Sequence, residues 1–311
     1  MLYFNARVTV GPYVWPTLVD FEATSTWKSI GDSGTVKLPG LRNKLEKLIS
    51  TGMPVLVEMG YDGQYFTEFE GYVAEILPNV PFAIRLEDEA YQLKRQTVTK
   101  AWKHTTLKQV LHYLYDGPIS GTVPDVDLSP FRLSAVTKYK ALEKLKEEFG
   151  LTVYFRGKTL YAGLAYVEKA GSVAVLYHLQ RNVVGTDLTY KKEKDVRLRV
   201  HAVSILPSNK RVKVEVGDDD GDQLTLHYYN ITSKEVLRKL ATERLNLLKF
   251  EGYRGTITTW GLPRVAHGLA AQLRDGLYPE REMKVFVDEV KTTVSKSGGF
   301  RRVLQLGRKA S

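Results

Sequence analysis

The sequence predicts a mainly β protein with an α+β insert: two similar β-barrel domains separated by a small two-helix α/β domain. Three observations predict it. Alternating apolar and polar residues with close turns fill both ends of the chain. Two amphipathic helical stretches lie between those ends. One short β device occurs twice, as "GYVAEILPNVPFAIRLEDE" at 71–89 and "VFVDEVKTTVSKSGGFRRVLQLG" at 285–307. Tyr72-Val73-Ala74-Glu75-Ile76 lines up with Phe286-Val287-Asp288-Glu289-Val290, and Phe82 to Leu86 with Phe300 to Leu306. Gly52 and Gly268 stand at comparable distances upstream.

The first β region spans 1–96 and is completed by strands from about 165–190. Leu2, Phe4, Ala6, Val8 and Val10 alternate with polar neighbours, as in a half-buried strand. Val19 to Ala23 repeats the alternation, and "IGDSGTVKLPG" adds a turn and a strand closed by Pro39-Gly40. "MPVLVEMGYDGQYFTEFEGYV" reads as two strands joined at Tyr61-Asp62-Gly63. Several short strands with close turns predict a barrel or sandwich.

The insert spans 97–165. Leu107, Val110, Leu111 and Leu114 form one helical face, capped by Thr105 or Thr106 and ended by Asp116-Gly117-Pro118. Tyr139, Leu142, Leu145 and Phe149 form a second, with Thr137 as N-cap and Gly150 as its stop. A hairpin turning at Arg156-Gly157-Lys158 follows. The second β region spans 176–311. There Val196, Leu198 and Val200 oppose Arg197, Arg199 and His201, and Val212, Val214 and Val216 alternate likewise. "GDDDGDQ" reads as a hairpin turn into Leu224-Thr225-Leu226. Ser233 caps a helix carrying Leu237, Leu240, Ala241, Leu245 and Leu248, with the Arg244 stem along the core edge and its head in water. Strands fill the rest from Gly255.

A chain of 311 residues has room for about two domains. It has no cysteine, which excludes disulfides, thiolate metal sites and a cysteine nucleophile. The N-terminus has no signal-peptide pattern, and no apolar run reaches membrane-helix length, so no membrane anchor is expected. The net charge of +10 permits an anionic partner, but the basic residues are spread along the chain.

Chemical signatures fail one by one. Placing Gly221 at the sixth position of a calcium loop puts Val216 first and His227 twelfth, both wrong. Glu87, Asp88 and Glu89 cannot converge from one strand and read as a solvated strand end. His104 and His112 lack ligand spacing and read as surface residues. The "GDSG" at 31–34 has no partner His or Asp context. The 18 tyrosines fit protein interfaces at least as well as base stacking. No catalytic, metal or cofactor-binding residue is nominated, and no enzyme activity or cofactor is expected.

Four strings, in order, carry a resemblance to a known family: "TWKSIGDSGTVKLPG", "IRLEDEAYQLKRQTVTKAWKHTTLKQVLHYL", "TKYKALEKLKEEFGLTVYFRGKTLYAG" and "SKEVLRKLATERLNLLKFEGYRGTITTWGLP". The chain resembles the phage tail baseplate hub family: late-control D proteins, Mu-like tail hubs and the hub region of type VI secretion spikes. The resemblance implies a homotrimer. Its six barrels would adapt a six-fold tail tube to a three-fold spike or tip. It also implies contacts with the tube, the spike and other baseplate proteins, and passing contact with DNA or tape-measure protein in the channel. Such a protein is made in the bacterial cytoplasm and resides in a virion tail or injection particle. Ending after the second barrel, the chain is expected to leave the spike to a separate protein. Two alternatives stand beside this reading. One is a nucleic-acid-binding protein using the Arg197, Arg199 and His201 face. The other is a tail-tip cell-wall hydrolase, which would need a carboxylate of raised pKa beside a second carboxylate or a metal in a cleft.

Overall fold

The computed structural model describes residues 3–40, 42–77, 79–163, 174–206 and 208–310; Leu2 and the span 164–173 lie outside it. The N-terminal region contains β1 (Phe4–Val10), β2 (Tyr13–Trp15), β3 (Asp20–Thr26), β4 (Ser33–Leu38), α1 (Arg42–Leu48), β5 (Pro54–Tyr61), β6 (Phe66–Leu77) and β7 (Phe82–Glu87). The middle contains α2 (Ala90–Arg95), β8 (Thr97–Trp102), α3 (Leu107–Leu114), β9 (Ile119–Ser120), β10 (Phe131–Thr137), α4 (Lys138–Phe149), β11 (Thr152–Arg156) and β12 (Thr159–Gly163). The remainder contains β13 (Val175–His178), β14 (Val183–Lys191), β15 (Leu198–Ile205), β16 (Arg211–Gly217), β17 (Asp222–Tyr229), α5 (Lys234–Leu248), β18 (Gly252–Trp260), β19 (Ala270–Arg274), β20 (Met283–Ser295) and β21 (Gly299–Lys309). The protein is mainly β, as its alternations predict.

One 13-stranded sheet runs through both ends of the chain, in the order β14-β18-β21-β20-β3-β4-β7-β6-β5-β1-β2, with β19 beside β20 and β13 beside β19. The two β regions are thus joined edge to edge where β20 meets β3. Each keeps its own core. Val8, Phe21, Val36, Val57, Val73 and Leu86 anchor the first, which also takes in Phe300 of β21. Tyr177, Ile257, Leu273, Val287, Leu304 and Leu306 anchor the second.

The third core is α/β. Its helices are amphipathic for the reasons the sequence offers: Leu107, Val110, Leu111 and Leu114 are all buried on α3. The cap is Thr106, not Thr105: Thr106 and Gln109 form a reciprocal capping box, while Thr105 is buried. Thr137 caps α4, and Gly150 ends it in the left-handed region at φ 60°. Ser233 caps α5, and Arg244 is exposed beside it. Val200, Ala202, Val214, Leu237 and Ala241 belong to this same core. Residues 198–248, read from the sequence as part of a 176–311 unit, therefore leave that unit and pack centrally, while β13 and β14, in the stretch read as completing the first β region, pair instead with β19 and β18 of the second. A period-2 pattern gives a strand its buried face but does not say which core receives it.

Two local readings are corrected. "GDDDGDQ" is not a hairpin turn, because β16 and β17 lie on opposite sides of β15. The loop arches over the start of β15, where Asp218 accepts from Leu198 N–H and its own N–H donates to Leu198 O. Glu87–Glu89 is not a solvated strand end either: Asp88 is buried, and α2 starts directly after Glu89.

Candidate functional site: the repeated hook and the strand junction

Two stretches far apart in the chain build the same backbone hook. Gly52 N–H donates to Val73 O at 2.8 Å, and Val73 N–H donates to Met53 O at 2.9 Å. Gly268 N–H donates to Val287 O at 2.7 Å, and Val287 N–H donates to Leu269 O at 2.9 Å. Both glycines have positive φ, 87° and 78°, which a side chain would strain. The strand above each hook carries the same bulge. Val73 faces Leu86 and Glu75 faces Arg85; Val287 faces Leu306 and Glu289 faces Gln305. The next strand repeats too, with Gly34 opposite Leu86 and Gly255 opposite Leu306. The alignment of Tyr72–Ile76 with Phe286–Val290 therefore holds residue by residue. Its continuation shifts: counting from Leu86 and Leu306, Phe82 matches Arg302 rather than Phe300, because the β20–β21 hairpin is longer. Strand order also matches, β3-β4-β7-β6-β5-β1 against β14-β18-β21-β20-β19-β13. It diverges at the end, where β1 runs antiparallel to β5 but β13 runs parallel to β19.

At the junction, residues Glu289–Val294 of β20 pair antiparallel with Thr26–Phe21 of β3. Asp288, the bulged residue, grips the end of β3. It accepts from the Trp27 indole at 3.1 Å, lies 3.4 Å from Lys28 Nζ, and offers its carbonyl to Thr26 Oγ1. Beneath the ladder, Arg302 meets Glu68 at 2.6 Å, with side chains 3% and 1% exposed. The Arg302 guanidinium also donates to Gly261 O and Thr292 Oγ1, so the buried charge is well paired. Arg264 reaches Glu68 at 3.4 Å. Sequence reasoning missed this pair. Its one signal was Arg302 sharing an inward strand face with Phe300, Leu304 and Leu306.

A cavity of about 270 Å³ opens beside the junction, lined among others by Asp32, Asp88, Glu68, Arg156, Arg264 and His267. Asp88 accepts from the Asp32 and Ala90 N–H groups, and Asp32 accepts from Thr26 N–H. Burial pushes the Asp32 carboxyl up to about 7. Burial and the neighbouring Asp32 charge raise Asp88 as well. Burial holds the His267 imidazole down to about 3, helped by the Arg156 charge. This is the carboxylate pair the hydrolase alternative called for. However, its oxygens hold the backbone of the β3–β4 turn and the start of α2, which suits a brace better than a catalyst. Among the described residues no cluster of His, Asp and Glu is arranged to hold a metal.

The basic strand face is neutralised from within. Arg199 and His201 both contact Glu215, and Arg197 meets Asp220 at 2.5 Å. These contacts hold the Glu215 carboxyl below its usual range, His201 first and Arg199 second. Lys191, Lys192 and Lys194, as well as His104 and His112, are exposed. No described helix is long and apolar enough to cross a membrane.

No protein-family model matches the sequence, and no curated protein does. Solved structures do. A tail protein from Neisseria meningitidis MC58 superposes with a TM-score of 0.71 at 16% identity, covering 98% of this chain and 97% of its own. The 43 kDa tail protein of prophage MuSo2 from Shewanella oneidensis gives 0.67 at 14%, covering 98% of each chain. A type VI secretion system component of E. coli, described as structurally similar to bacteriophage T4 tail proteins, gives 0.64 at 11%, covering 98% of this chain and 77% of its own. The fold of this chain is thus one shared by phage tail proteins and a type VI secretion component.

Proposed function

We propose that the protein is a structural, non-enzymatic part of a phage tail or tail-like injection machine: a homotrimeric baseplate hub. In this reading it is made in a bacterial cytoplasm and resides in the assembled particle. The observation that carries the reading is the duplication. One chain holds two β units with the same hook, bulge and strand order, welded by a continuous ladder and a buried ion pair. Three such chains place six like units round an axis. One face of that ring meets a six-fold tube, and the other keeps the three-fold symmetry of a spike. Each unit is a barrel-like module, the first built from β1–β7 and the second from β13, β14 and β18–β21. The α/β core lies outside both. The neighbours of the assembled hub are the tail tube protein, a separate spike or tip and other baseplate proteins, with DNA or tape-measure protein passing through.

Light scattering of the purified protein, alone and with a spike protein, tests this. The expected mass is three chains, and electron-microscopy class averages should show six lobes. A monodisperse monomer under both conditions would sink the proposal.

A further inference from the structure

The in-chain junction has a counterpart that no described strand fills. Gly34 and Gly255 bring β4 into register with β18. Ala23 pairs with Gly34 and Leu188 with Gly255, so Thr24, Ser25 and Thr26 of β3 correspond to Thr189, Tyr190 and Lys191 of β14. On the other side, the hook and bulge make Glu75, Ile76 and Leu77 of β6 correspond to Glu289, Val290 and Lys291 of β20. Within the chain, Glu289 pairs with Thr26, Val290 with Ser25 and Lys291 with Thr24. Yet β14 pairs only with β18, and Glu75–Leu77 pairs only with β7, among the described residues. Glu75, Thr189 and Lys191 are exposed, and Ile76, Leu77 and Tyr190 are half-buried.

We propose that β14 of one copy pairs antiparallel with Glu75–Leu77 of β6 in a second copy of this chain, with Lys191 opposite Glu75, Tyr190 opposite Ile76 and Thr189 opposite Leu77. The inference rests on the hub reading and gives it a register. Three features of the chain support it. The counterparts of these two edges, β3 and β20, already meet once, in the same orientation, inside every molecule. The facing residues suit one another: the Glu75 carboxylate, which already holds Arg85 at 2.6 Å, would gain the Lys191 ammonium as a second cation, and an aliphatic side chain meets an aromatic ring. An exposed nine-residue edge strand is also a ready template for another strand. Because the two surfaces differ, the contact is head to tail, the kind of contact from which the ring of the hub reading is built. The intersubunit joint lacks the Asp288 grip, since Ala74 holds that place. It is therefore the weaker joint, as one made during assembly requires.

The absence of natural cysteines makes the test clean. Residues directly opposite on antiparallel strands have Cβ atoms about 4.5–5.5 Å apart, near disulfide reach. The double variants Glu75→Cys/Lys191→Cys and Ile76→Cys/Tyr190→Cys sample both pair types of the ladder. Under oxidation, at least one should give a covalent trimer on a non-reducing gel. The corresponding single variants, mixed, should stop at a covalent dimer. Glu75→Lys should weaken assembly about fivefold at low salt, and Glu75→Lys/Lys191→Glu should restore it. A native mass of three chains with no cross-link from either double variant overturns the strand pairing and leaves the hub reading standing. A monomer at every concentration, both alone and with a spike protein, without cross-links, overturns both. A covalent dimer as the end point of a double variant overturns the ring.

Discussion

At one bulge the molecule carries Ala74, and at its repeat it carries Asp288. The backbone around the two is the same: a positive-φ glycine, a hook to a valine, and a leucine opposite. The side chains diverged where surroundings did. Asp288 has a strand end to hold and collects Trp27, Lys28 and Thr26. Ala74 lies beside an edge that no described strand covers. A duplicated device thus keeps what its backbone geometry requires, and its side chains record which copy is permanently joined.

The largest expected effect comes from Glu68→Ala. It strands Arg302 as a buried charge and should cost about 3–5 kcal/mol in denaturant unfolding. A loss below about 1 kcal/mol would mean that this pair does not weld the units. Next are the paired glycines. A Cβ at Gly255 would lie 2.0 Å from Asp187 O at a φ of 119°; at Gly34 it would lie 2.8 Å from Glu22 O, with no positive φ. Gly255→Ala should cost roughly 1–3 kcal/mol or more, and Gly34→Ala less. The reverse order in thermal midpoints would show that the positive φ and close carbonyl at Gly255 do not set its cost.

Asp288→Ala should cost about 1–2 kcal/mol and shift Trp27 fluorescence. The mirrored Ala74→Ser should stay within about 0.5 kcal/mol. Equal losses would deny that the two bulges differ in duty. The smallest effect is a slope. The raised carboxyls of Asp32 and Asp88 bind protons more tightly in the fold. Both contributions are complete below the ordinary carboxylate range near 4; that of Asp32 is lost as pH rises through about 7, and that of Asp88 is lost as pH rises through its own raised value. His267, lowered to about 3, contributes above its ordinary value near 6.5, and that contribution is lost as pH falls toward about 3. Between these limits the two trends oppose, each at most about 1.4 kcal/mol per pH unit per proton. Asp32→Asn should therefore make stability rise more steeply with pH across this window. A thermal-midpoint profile unchanged from the parent would show that the pair does not govern it.

Much of the fold was legible in local sequence. The alternation of Ala6, Val8 and Val10, the caps Thr137 and Ser233, and the stop at Gly150 all follow from chemistry within a few residues. So did the repeat of Tyr72–Ile76 in Phe286–Val290, because a bulge and its flanking apolar residues leave a pattern. What escaped needed a distant partner. Glu68 and Arg302 are separated by 234 residues, and neither is explicable without the other. Asp88 reads as solvent-facing until the Asp32 N–H is placed against it. The arch at "GDDDGDQ" uses the same residues as a hairpin turn, so only the position of β15 tells them apart.

The β3–β20 ladder also sets an order of events in time. Phe21 finds its partner only at Val294, and the Trp27 indole finds Asp288 across 261 residues. During synthesis, nearly the whole chain must leave the ribosome before that ladder can close. Until then β3 waits with one edge bare, beside a unit that is otherwise able to pair. Contacts of such long range slow folding and leave strand edges open to wrong partners. The nascent chain is therefore most vulnerable to mispairing with its own copies late in translation. Closure of the last hairpin ends that vulnerability at β3, while one edge of β14 stays without a described strand beside it.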